Sequence, residues 1–325
     1  MNDVLNLFLK LDRRLESFGQ DAGSKLVIAE AQAANGWFTT ADICRAITAI
    51  RTQMLNRHYL ETWLRTYPLP VAQSRKVLIV MAGNIPLVGF LDLLCVVASG
   101  HQCVVKLSSK DTVLMSYMIQ LLKEIDMDIP IVQDVGQPVD AVIATGGERA
   151  NHYFQAHYAG LPALLRNSRH AAAVLSGCET QEQLEALADD IFAYSGLGCR
   201  NVSLVFTPES YELKLHVPTC NSMYVNNYRQ HKALLSMANI PFRDLGGALL
   251  VDRWDFPMAL SEIAVAKYTN VEDVSDWLCA HEDELQCVVS DCVPFVRRVS
   301  FGQTQSPALT DYPDGQDVLQ FLCEI

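Results

Sequence analysis

The stretch from Lys76 to Ser109, "KVLIVMAGNIPLVGFLDLLCVVASGHQCVVKLSS", decides the fold class. It opens with "KVLIVMAG", a short β-branched run that ends in glycine and is typical of a strand buried in a parallel sheet. The apolar segment "LVGFLDLLCVVASG" predicts a mostly buried helix that closes at Gly100, and "QCVVKL" predicts a second strand. Strand, helix and strand in this order predict a β-α-β unit.

The same alternation continues along the chain. "SSKDTVLMSYMIQLLKEI" predicts an amphipathic helix opened by Ser and Asp caps, and "TQEQLEALADDIFAYSGLG" predicts another with a capping box at Thr180 and Gln183. Further helices are predicted from "ERANHYFQAHYAG" and "NVEDVSDWLCAHE". Further strands are predicted from "IPIVQDV", "AVIATGG", "HAAAVLSG", "NVSLVFTP", "GALLVDRW", "AVAKY" and "QCVVS". We therefore predict an α/β protein built on doubly wound parallel sheets.

Residues 1 to about 70 predict a helical layer, because apolar residues recur every three or four positions up to the prolines Pro68 and Pro70. The expected domains are 1–161, the helices with a nucleotide-binding domain; 162–304, a catalytic domain; and 305–325, a tail. We expect this tail to return towards the nucleotide-binding domain or to form part of a dimer interface.

Composition narrows the class of protein. The chain has 325 residues, of which half are hydrophobic, and its net charge is 25 − 37 = −12, so a nucleic-acid partner is disfavoured. The longest apolar stretch contains Pro86 and Asp92 and is too short to cross a bilayer, and the N-terminus alternates apolar and charged residues, unlike a signal peptide. Ten cysteines without CxxC pairs or zinc-ligand spacing predict a reducing cytoplasm, mostly buried free thiols and no metal site.

Cys199 in "SGLGCRN" is a candidate nucleophile. The glycines before it leave the thiol sterically open, and Arg200 with a predicted helix start would favour the thiolate. Taken alone, the local sequence favours one more buried thiol over a nucleophile. The other nine cysteines, such as Cys95 and Cys287 in apolar runs, are predicted to lie in the core.

Three further features follow predicted strands, where parallel sheets bind their ligands. Asn84 suits an oxyanion donor but also a helix cap, and Lys106 suits a nucleotide ribose or phosphate but also a solvated surface. The two glycines of "ATGGERA" offer backbone N–H groups to a phosphate, which is a weak signal by itself. The sequence contains no GxGxxG, GxSxG, P-loop or HExxH motif.

From about residue 76 to its end, the chain resembles the aldehyde dehydrogenase superfamily, and within it the acyl-CoA reductase branch, the family of the LuxC fatty-acid reductase subunit. "AGNIP" is similar to the superfamily's "PWN", "YSGLGC" to "NxGQxC" and "VSFGQ" to "LPFGG". "LRNSRHAAAVL" and "GCRNVS" are close to the usual wording of the reductase branch. The resemblance implies that Asn84 is the oxyanion-hole asparagine, that Cys199 is the nucleophile, and that Phe301 and Gly302 belong to the cofactor side of the site.

Two further matches concern the cofactor. "KLSS" is similar to "KPSE", which makes Lys106 the lysine that holds the adenosine ribose, and "ATGG" is similar to "FTGS". That second match brings Thr145, Gly146 and Gly147 beside the nicotinamide end. Ser109 stands where an acidic residue would repel a 2′-phosphate, so the resemblance implies NADP(H), with NAD(H) as the alternative.

The sequence departs from aldehyde dehydrogenases at other positions. Arg166 stands where their general-base Glu lies in "ELGGK", so water would be poorly activated and an acyl-cysteine thioester would persist. The Glu of "EEIFGP", which holds the nicotinamide ribose, is matched only loosely by Glu262 in "SEIAVAKY". The chain is also shorter than a full aldehyde dehydrogenase, and we expect the segment that forms the dimerisation arm to be reduced.

The resemblance thus implies a cytoplasmic, NADPH-dependent reductase that converts an acyl-CoA, with a fatty acyl group expected, to aldehyde through acyl-Cys199. A homodimer and an acyl-transferring protein partner are compatible with it. One alternative is a reductase of an acyl phosphate, like glutamyl-phosphate reductases, with Arg166 and Arg169 near the acyl group. A second is a scaffold that keeps the fold without the activity.

Overall fold

The computed structural model describes residues 2–325, which form two compact units. The first unit contains the residues up to 168 together with 307–325, and the second contains residues 169–306. The sequence predicts a boundary near Pro162. The chain instead forms one more strand after Pro162 in the sheet of the first unit, because residues 163–166 pair with residues 142–145.

The N-terminal part of the first unit is helical, as predicted. Its helices are α1 (Asn2–Leu15), α2 (Ala22–Ala34), α3 (Thr40–Ala49) and α4 (Arg57–Leu64). The side chains of Asp21, Thr39 and Asn56 accept backbone N–H groups at the starts of α2, α3 and α4 and so fix where these helices begin.

The sheet of the first unit is fully parallel. Its strands are β1 (Lys76–Val80), β2 (Gln102–Lys106), β3 (Ala141–Thr145) and β4 (Ala163–Arg166), in the spatial order β2-β1-β3-β4. The helices are α5 (Phe90–Ser99), α6 (Thr112–Lys123), α7 (Glu148–His157) and, near the C-terminus, α11 (Val318–Glu324). All residues of α5 are buried, and α2 packs against α6 and α11 against α5. Gly100 closes α5 with a φ of 86°, which glycine adopts without strain.

The predicted strand "IPIVQDV" is wrong. Ile131 makes a single isolated bridge with Val105. Val105 donates to the Pro130 carbonyl at 3.0 Å and accepts the N–H of Val132 at 2.9 Å. Pro130 lacks an N–H donor, and Asp134 turns the chain by accepting the N–H of Gly136. The segment therefore lines β2 without extending the sheet.

The second unit contains a mostly parallel sheet of seven strands. The strands are β5 (His170–Val174), β6 (Val202–Pro208), β7 (Arg243–Asp244), β8 (Leu249–Asp252), β9 (Glu262–Tyr268), β10 (Leu285–Ser290) and β11 (Arg298–Val299). Their spatial order is β11-β10-β5-β6-β9-β8-β7, and only the β7–β8 pair is antiparallel among the described strands. The helices are α8 (Gln181–Phe192), α9 (Ser222–Met237) and α10 (Val271–Ala280). The predicted strands and helices of this unit are confirmed, whereas α9, β7 and β11 are additions.

The cysteines are less buried than predicted. All ten are free thiols, but only Cys95, Cys103 and Cys287 are buried. Cys178, Cys199, Cys279 and Cys292 are exposed, and the others are half-buried. The prediction of mostly buried thiols is wrong because several lie in turns or near the ends of elements, where an apolar neighbourhood in sequence does not imply burial.

Two features are missing from residues 2–325. No helix in that range has the length and the apolar character that crossing a bilayer requires. The same residues contain no cluster of three or more His, Cys, Asp and Glu side chains arranged to hold a metal ion.

Candidate active site

The carboxyl edge of the first sheet gathers several residues that the sequence singles out. Lys106 is the last residue of β2, Asn84 follows β1, and Thr145 ends β3 and is followed by Gly146. Because β2, β1 and β3 are parallel neighbours, these residues lie along one edge. Ser109 is exposed just beyond β2. This edge is where open parallel sheets bind nucleotides.

The loop of residues 81–89 carries Asn84 and packs on the segment that follows β2. A Cβ atom on Gly83 would lie 2.6 Å from Ser108 Oγ, so only glycine permits this approach. Leu87 is buried with a φ of 57°, a left-handed conformation that is costly for leucine. Its N–H donates to Asp111 Oδ2 at 2.7 Å. The loop is therefore held by contacts from outside it.

Asp111 occupies the N-cap position of α6, as the sequence predicts. Its side chain makes no well-aligned capping hydrogen bond to α6 and instead accepts the N–H of Leu87. The side chain is buried, and Oδ1 has no hydrogen-bond partner among residues 2–325. Burial raises the pKa of Asp111 from 3.8 to about 7, although the nearby N–H groups of Leu87 and Leu114 act in the opposite direction.

The turn between β3 and α7 is compact. A Cβ atom on Gly146 would lie 2.8 Å from the Cβ of Ala150, and Gly147 is the N-cap of α7 without a side-chain hydrogen bond. The buried Asn151 amide donates to the carbonyl of Arg166 at 2.7 Å and so ties the turn to the end of β4. An uncapped helix start behind a glycine turn suits a pyrophosphate group.

Arg166 is 4% exposed and forms a bidentate ion pair with Asp92 of α5. The distances are 2.8 Å from Nη2 to Oδ1 and 2.9 Å from Nη1 to Oδ2, and Nη1 also lies 3.4 Å from Thr145 Oγ1. Burial by itself lowers the pKa of the guanidinium, but Asp92 outweighs it and the pKa is raised. Arg166 is therefore a cation neutralised inside the unit.

Cys199 is exposed on a strained loop in the second unit. Helix α8 ends at Phe192, and Tyr194, Ser195 and Gly196 follow with φ values of 52°, 55° and 73°. Three consecutive left-handed residues reverse the chain tightly, and two of them are not glycine, so surrounding contacts must hold them. This reversal sets the path of the chain into residues 197–200.

Asn201, which the sequence analysis does not single out, supplies those contacts. Its Nδ2 lies 3.1, 3.2 and 2.9 Å from the carbonyl oxygens of Asp190, Ile191 and Ala193. Its Oδ1 accepts the N–H of Gly198 at 2.8 Å. The amide is 4% exposed and joins the end of α8 to the residue before Cys199. The signal available in the sequence is a polar Asn directly before a buried strand.

The predicted helix start after the glycines is wrong. Residues 199 and 200 form a turn, and β6 begins at Val202. Cys199 therefore lies at the amino edge of the second sheet and receives no helix dipole there. The chain enters a strand rather than a helix because "VSLVF" is a β-branched, apolar run that pairs on both sides, with β5 and β9.

Phe301 and Gly302 lie on a loop that is fastened to the same helix. Asp190 of α8 accepts the N–H of Gly302 at 2.6 Å and both the N–H and the hydroxyl of Thr304, at 3.0 and 2.7 Å. Asp190 is 1% exposed, and burial raises its pKa to about 6 against these donors. The backbone carbonyl of Asp190 also accepts a hydrogen bond from the Asn201 amide. Asp190 therefore links the loop that carries Cys199 with the loop that carries Phe301.

Glu262 is 2% exposed at the start of β9, and its carboxylate is engaged within the second unit. His231 Nε2 lies 2.6 Å from Oε2 and Arg253 Nη2 lies 3.1 Å from Oε1. Arg169 is used similarly, since its Nη1 donates to the Leu285 carbonyl at 3.1 Å. Both side chains therefore have structural partners at the amino edge of the second sheet.

A cavity of about 190 Å³ in the second unit adjoins the Cys199 loop. It touches Gly196 and Gly198, and the described residues that line it do not include Cys199. Its apolar wall includes Ile191, Phe192, Tyr224, Met258, Leu260 and Ile263. The cavity thus lies against the loop, and the thiol does not open into it.

Solved structures similar to this chain are aldehyde dehydrogenases. The NAD⁺ complex of a Mycobacterium tuberculosis aldehyde dehydrogenase matches with a TM-score of 0.62 at 12% identity, over 89% of this chain and 72% of that chain. The NADP complex of an NADP-dependent glyceraldehyde-3-phosphate dehydrogenase from Bacillus halodurans C-125 matches with a TM-score of 0.61 at 12% identity, over 89% and 73%. The fold is that of aldehyde dehydrogenases, which confirms the predicted fold class.

Sequence comparison narrows the class to a family. Residues 48–216, more than half of the chain, match the acyl-CoA reductase (LuxC) family, and the chain belongs to this family. The long-chain acyl-protein thioester reductase of Photorhabdus luminescens is 24% identical over a region covering 33% of this chain. That region spans 26% of the relative, about a quarter of its length. The resemblance inferred from the motifs is confirmed.

Proposed function

We propose that the protein reduces an acyl thioester to an aldehyde through an acyl-Cys199 intermediate, with acyl-CoA as donor and NADPH as reductant. The observation that carries the proposal is the exposed Cys199 on a strained loop that Asn201 holds in shape. Family membership and the aldehyde dehydrogenase fold support the same chemistry. Strain at a loop that bears a nucleophile is typical of functional sites.

In this mechanism the Cys199 thiolate attacks the acyl carbonyl, a carbon–sulfur bond forms, and the donor thiol leaves as its thiolate. The resemblance assigns the oxyanion that develops on the carbonyl oxygen to the Asn84 amide and the backbone N–H of Cys199. After reduction, the hemithioacetal on Cys199 collapses, which releases the aldehyde and returns the thiolate. Cys199 thus carries the acyl group through both halves of the reaction.

The Asp92–Arg166 pair supports reduction over hydrolysis. The resemblance aligns Arg166 with the general-base Glu of aldehyde dehydrogenases, and a guanidinium cannot accept a proton from water. Both oxygens of Asp92 accept from Arg166, so Asp92 does not replace that base. An acyl-enzyme without a base to activate water remains available for reduction or for exchange with a thiol.

The carboxyl edge of the first sheet fits a dinucleotide. Lys106 and Ser109 would hold the adenosine ribose, and Gly146 and Gly147 would lie beside the phosphates and nicotinamide. A Cβ on Gly147 would meet nothing within 4 Å, so there is open space at this position. Thr145 and Phe301 also belong to the proposed cofactor residues. When bound, the nicotinamide supplies the hydride for the acyl carbon. Ser109 leaves room for a 2′-phosphate without repulsion, which favours NADPH over NADH.

Glu262 stays a proposed cofactor residue, through its loose match to the Glu that holds the nicotinamide ribose. Its carboxylate also pairs with His231 and Arg253, and the residue lines the cavity beside the Cys199 loop. An acyl phosphate donor is disfavoured, since Arg166 is paired with Asp92 and Arg169 donates to backbone carbonyls. The Arg166 guanidinium is thereby not offered to a phosphate, whereas Arg169 also lines the cavity beside the Cys199 loop.

The donor thiol admits two sources. The Photorhabdus relative is named for an acyl-protein thioester, and acyl-CoA presents the same acyl–sulfur bond to a cysteine. We propose acyl-CoA as the donor, with an acyl-transferring protein as a partner that delivers the same group, and a homodimer as the assembly. An assay with both donors separates them.

The test is NADPH oxidation by the purified protein with acyl-CoA donors of increasing chain length, repeated with NADH. We expect turnover with NADPH, and we expect Cys199→Ala to lower kcat by about a thousandfold or more, because the intermediate cannot form. Cys279→Ala, which removes another exposed thiol of the same unit, is the matched control and should retain full activity. Turnover that survives Cys199→Ala rejects the mechanism, and a wild-type protein inactive with every thioester donor favours the scaffold alternative.

A further inference from the structure

Asp111 bridges two segments to which the proposed reaction assigns different tasks. One is the loop of residues 81–89, with Asn84, and the other is the segment 106–111, with Lys106 and Ser109. The contacts are the hydrogen bond from the Leu87 N–H to Asp111 Oδ2, 2.7 Å, and the packing of Gly83 on Ser108 and Asp111. The two segments are thus joined on both sides of Asn84, at Gly83 and at Leu87.

We propose that Asp111 is the positioning residue for Asn84: its carboxylate fixes the Leu87 N–H and thereby the turn that presents the Asn84 amide to the oxyanion. The proposal rests on the function proposed above for Asn84. It assigns Asp111 no contact with substrate or cofactor.

The backbone of Leu87 explains why an external acceptor is needed. A leucine at a φ of 57° occupies a sparsely populated conformation, which persists only where surrounding contacts determine it. Leu87 is 3% exposed, so without Asp111 its N–H would be buried without a partner. Relaxing Leu87 towards a negative φ would rotate the chain between Gly83 and α5, and Asn84 lies in that stretch.

The placement of Asp111 argues against a purely local capping role. The residue stands at the N-cap of α6, where an Asp normally bonds the N–H groups of its own helix, yet it makes no well-aligned bond of that kind. Its carboxylate is instead directed to a loop 24 residues away in sequence. Burying a carboxylate is costly, and the hydrogen bond from the Leu87 N–H offsets part of this cost, together with the nearby N–H of Leu114.

Two substitutions separate the role of the acceptor from that of the charge. Asp111→Asn keeps an oxygen for the Leu87 N–H, and Asp111→Ala removes it. Hydrogen–deuterium exchange of residues 81–89 should be faster in Asp111→Ala than in the wild type and close to wild type in Asp111→Asn. This readout does not require the enzyme to be active.

Kinetics test whether the effect passes through Asn84. We expect Asp111→Ala to lower kcat about tenfold with the KM for the acyl donor changed less than about twofold, since an oxyanion donor acts in the transition state. Asp111→Asn should stay within about threefold of the wild type. In an Asn84→Ala background, Asp111→Ala should cause no further loss of kcat, because coupled residues are not additive.

Leu122→Ala is the control for general destabilisation, because it opens a cavity under the same helix α6, far along it from Asp111. It should leave exchange in 81–89 and kcat unchanged. Unchanged exchange of 81–89 in Asp111→Ala, or an equal loss of kcat with and without Asn84, overturns the proposal. If the wild type reduces no thioester, the proposed function fails, and the exchange data still decide whether Asp111 holds the loop.

Discussion

The side-chain amide of Asn201 has a disproportionate effect on the loop of the candidate nucleophile. Residues in left-handed conformations cost roughly 1–3 kcal/mol each when they are not glycine, and Tyr194 and Ser195 are two of them. Asn201 offsets part of that cost by satisfying carbonyls at the end of α8 and the N–H of Gly198. The loop geometry around Cys199 therefore depends on a residue that never needs to touch the substrate.

We predict that Asn201→Ala slows both turnover and the reaction of Cys199 with iodoacetamide, with a stability loss of about 1–3 kcal/mol from the unpaired carbonyls. Alkylation followed by mass spectrometry reports Cys199 directly, and thermal unfolding reports stability. Asn270→Ala removes the N-cap of α10 in the same unit and is the matched control. Alkylation of Cys199 at the wild-type rate in Asn201→Ala would show that the amide does not shape this loop.

The ion pair between Asp92 and Arg166 acts at the scale of elements. It joins the start of α5 to the end of β4 across 74 residues of sequence, in a region where both side chains are almost fully buried. A buried pair of this kind contributes modestly as a pair, whereas breaking it leaves an uncompensated charge. The pair thus fixes how a helix and an edge strand meet, close to Thr145.

We predict that Asp92→Asn lowers the stability of the first unit by about 3 kcal/mol or more, because it leaves the buried Arg166 cation without its counter-ion. The double variant Asp92→Leu with Arg166→Met should lose less stability than Asp92→Asn alone, since it removes both charges and keeps apolar volume. Thermal unfolding followed by circular dichroism checks this order. A double variant that loses the sum of the losses measured for Asp92→Leu alone and Arg166→Met alone would mean that the two side chains act independently.

Elements with strong periodicity could be predicted from sequence, and contacts between elements could not. β1, α5 and β2 follow from β-branched runs, an apolar helix and Gly100, all of which are local signals. "IPIVQDV" has the composition of a strand, but Pro130 and the turn at Asp134 keep it out of the sheet. Composition reports what a segment prefers and not what it pairs with.

The residues of the candidate site fall into the same two groups, those that local sequence signals reveal and those whose role depends on contacts with distant residues. Asn84, Lys106 and Thr145 could be found because they lie at or just beyond the carboxyl ends of strands, a position that sequence patterns reveal. Asp111 and Asp190 could not, since their partners are 24 and 112 residues away. A weaker signal is present for Asp190, an acidic residue on the apolar face that contains Leu187 and Ile191, because a buried acid in such a stripe needs partners.

At the scale of the whole molecule, the chain is acidic, and a few of its carboxylates are buried. The chain carries 37 acidic and 25 basic residues. Asp111 in the first unit and Asp190 in the second are buried against loops that carry proposed functional residues. In both, burial raises the pKa, to about 7 and about 6, above the ordinary 3.8. Both carboxyl groups therefore bind protons more tightly in the folded protein than in the unfolded chain.

The sign of the resulting pH dependence follows from this difference. A carboxyl whose pKa is raised by folding contributes stability that is fully present below its unfolded pKa, near 4, and that is lost as pH rises through the folded value. For Asp111 the loss runs from about pH 4 to about pH 7. One pKa unit corresponds to about 1.4 kcal/mol, so the loss amounts to a few kcal/mol.

We predict that Asp111→Asn raises the midpoint of thermal unfolding at pH 8 by about 4 °C or more and by clearly less at pH 5, because the amide accepts the Leu87 N–H without ionising. Asp128→Asn removes the charge of an exposed carboxylate in the same unit and is the control for net charge. The quantity to compare is the shift between pH 5 and pH 8 in each variant and in the wild type. An equal shift in Asp111→Asn and the wild type would mean that Asp111 ionises in the folded protein as readily as in the unfolded chain, and that its burial carries no energetic cost.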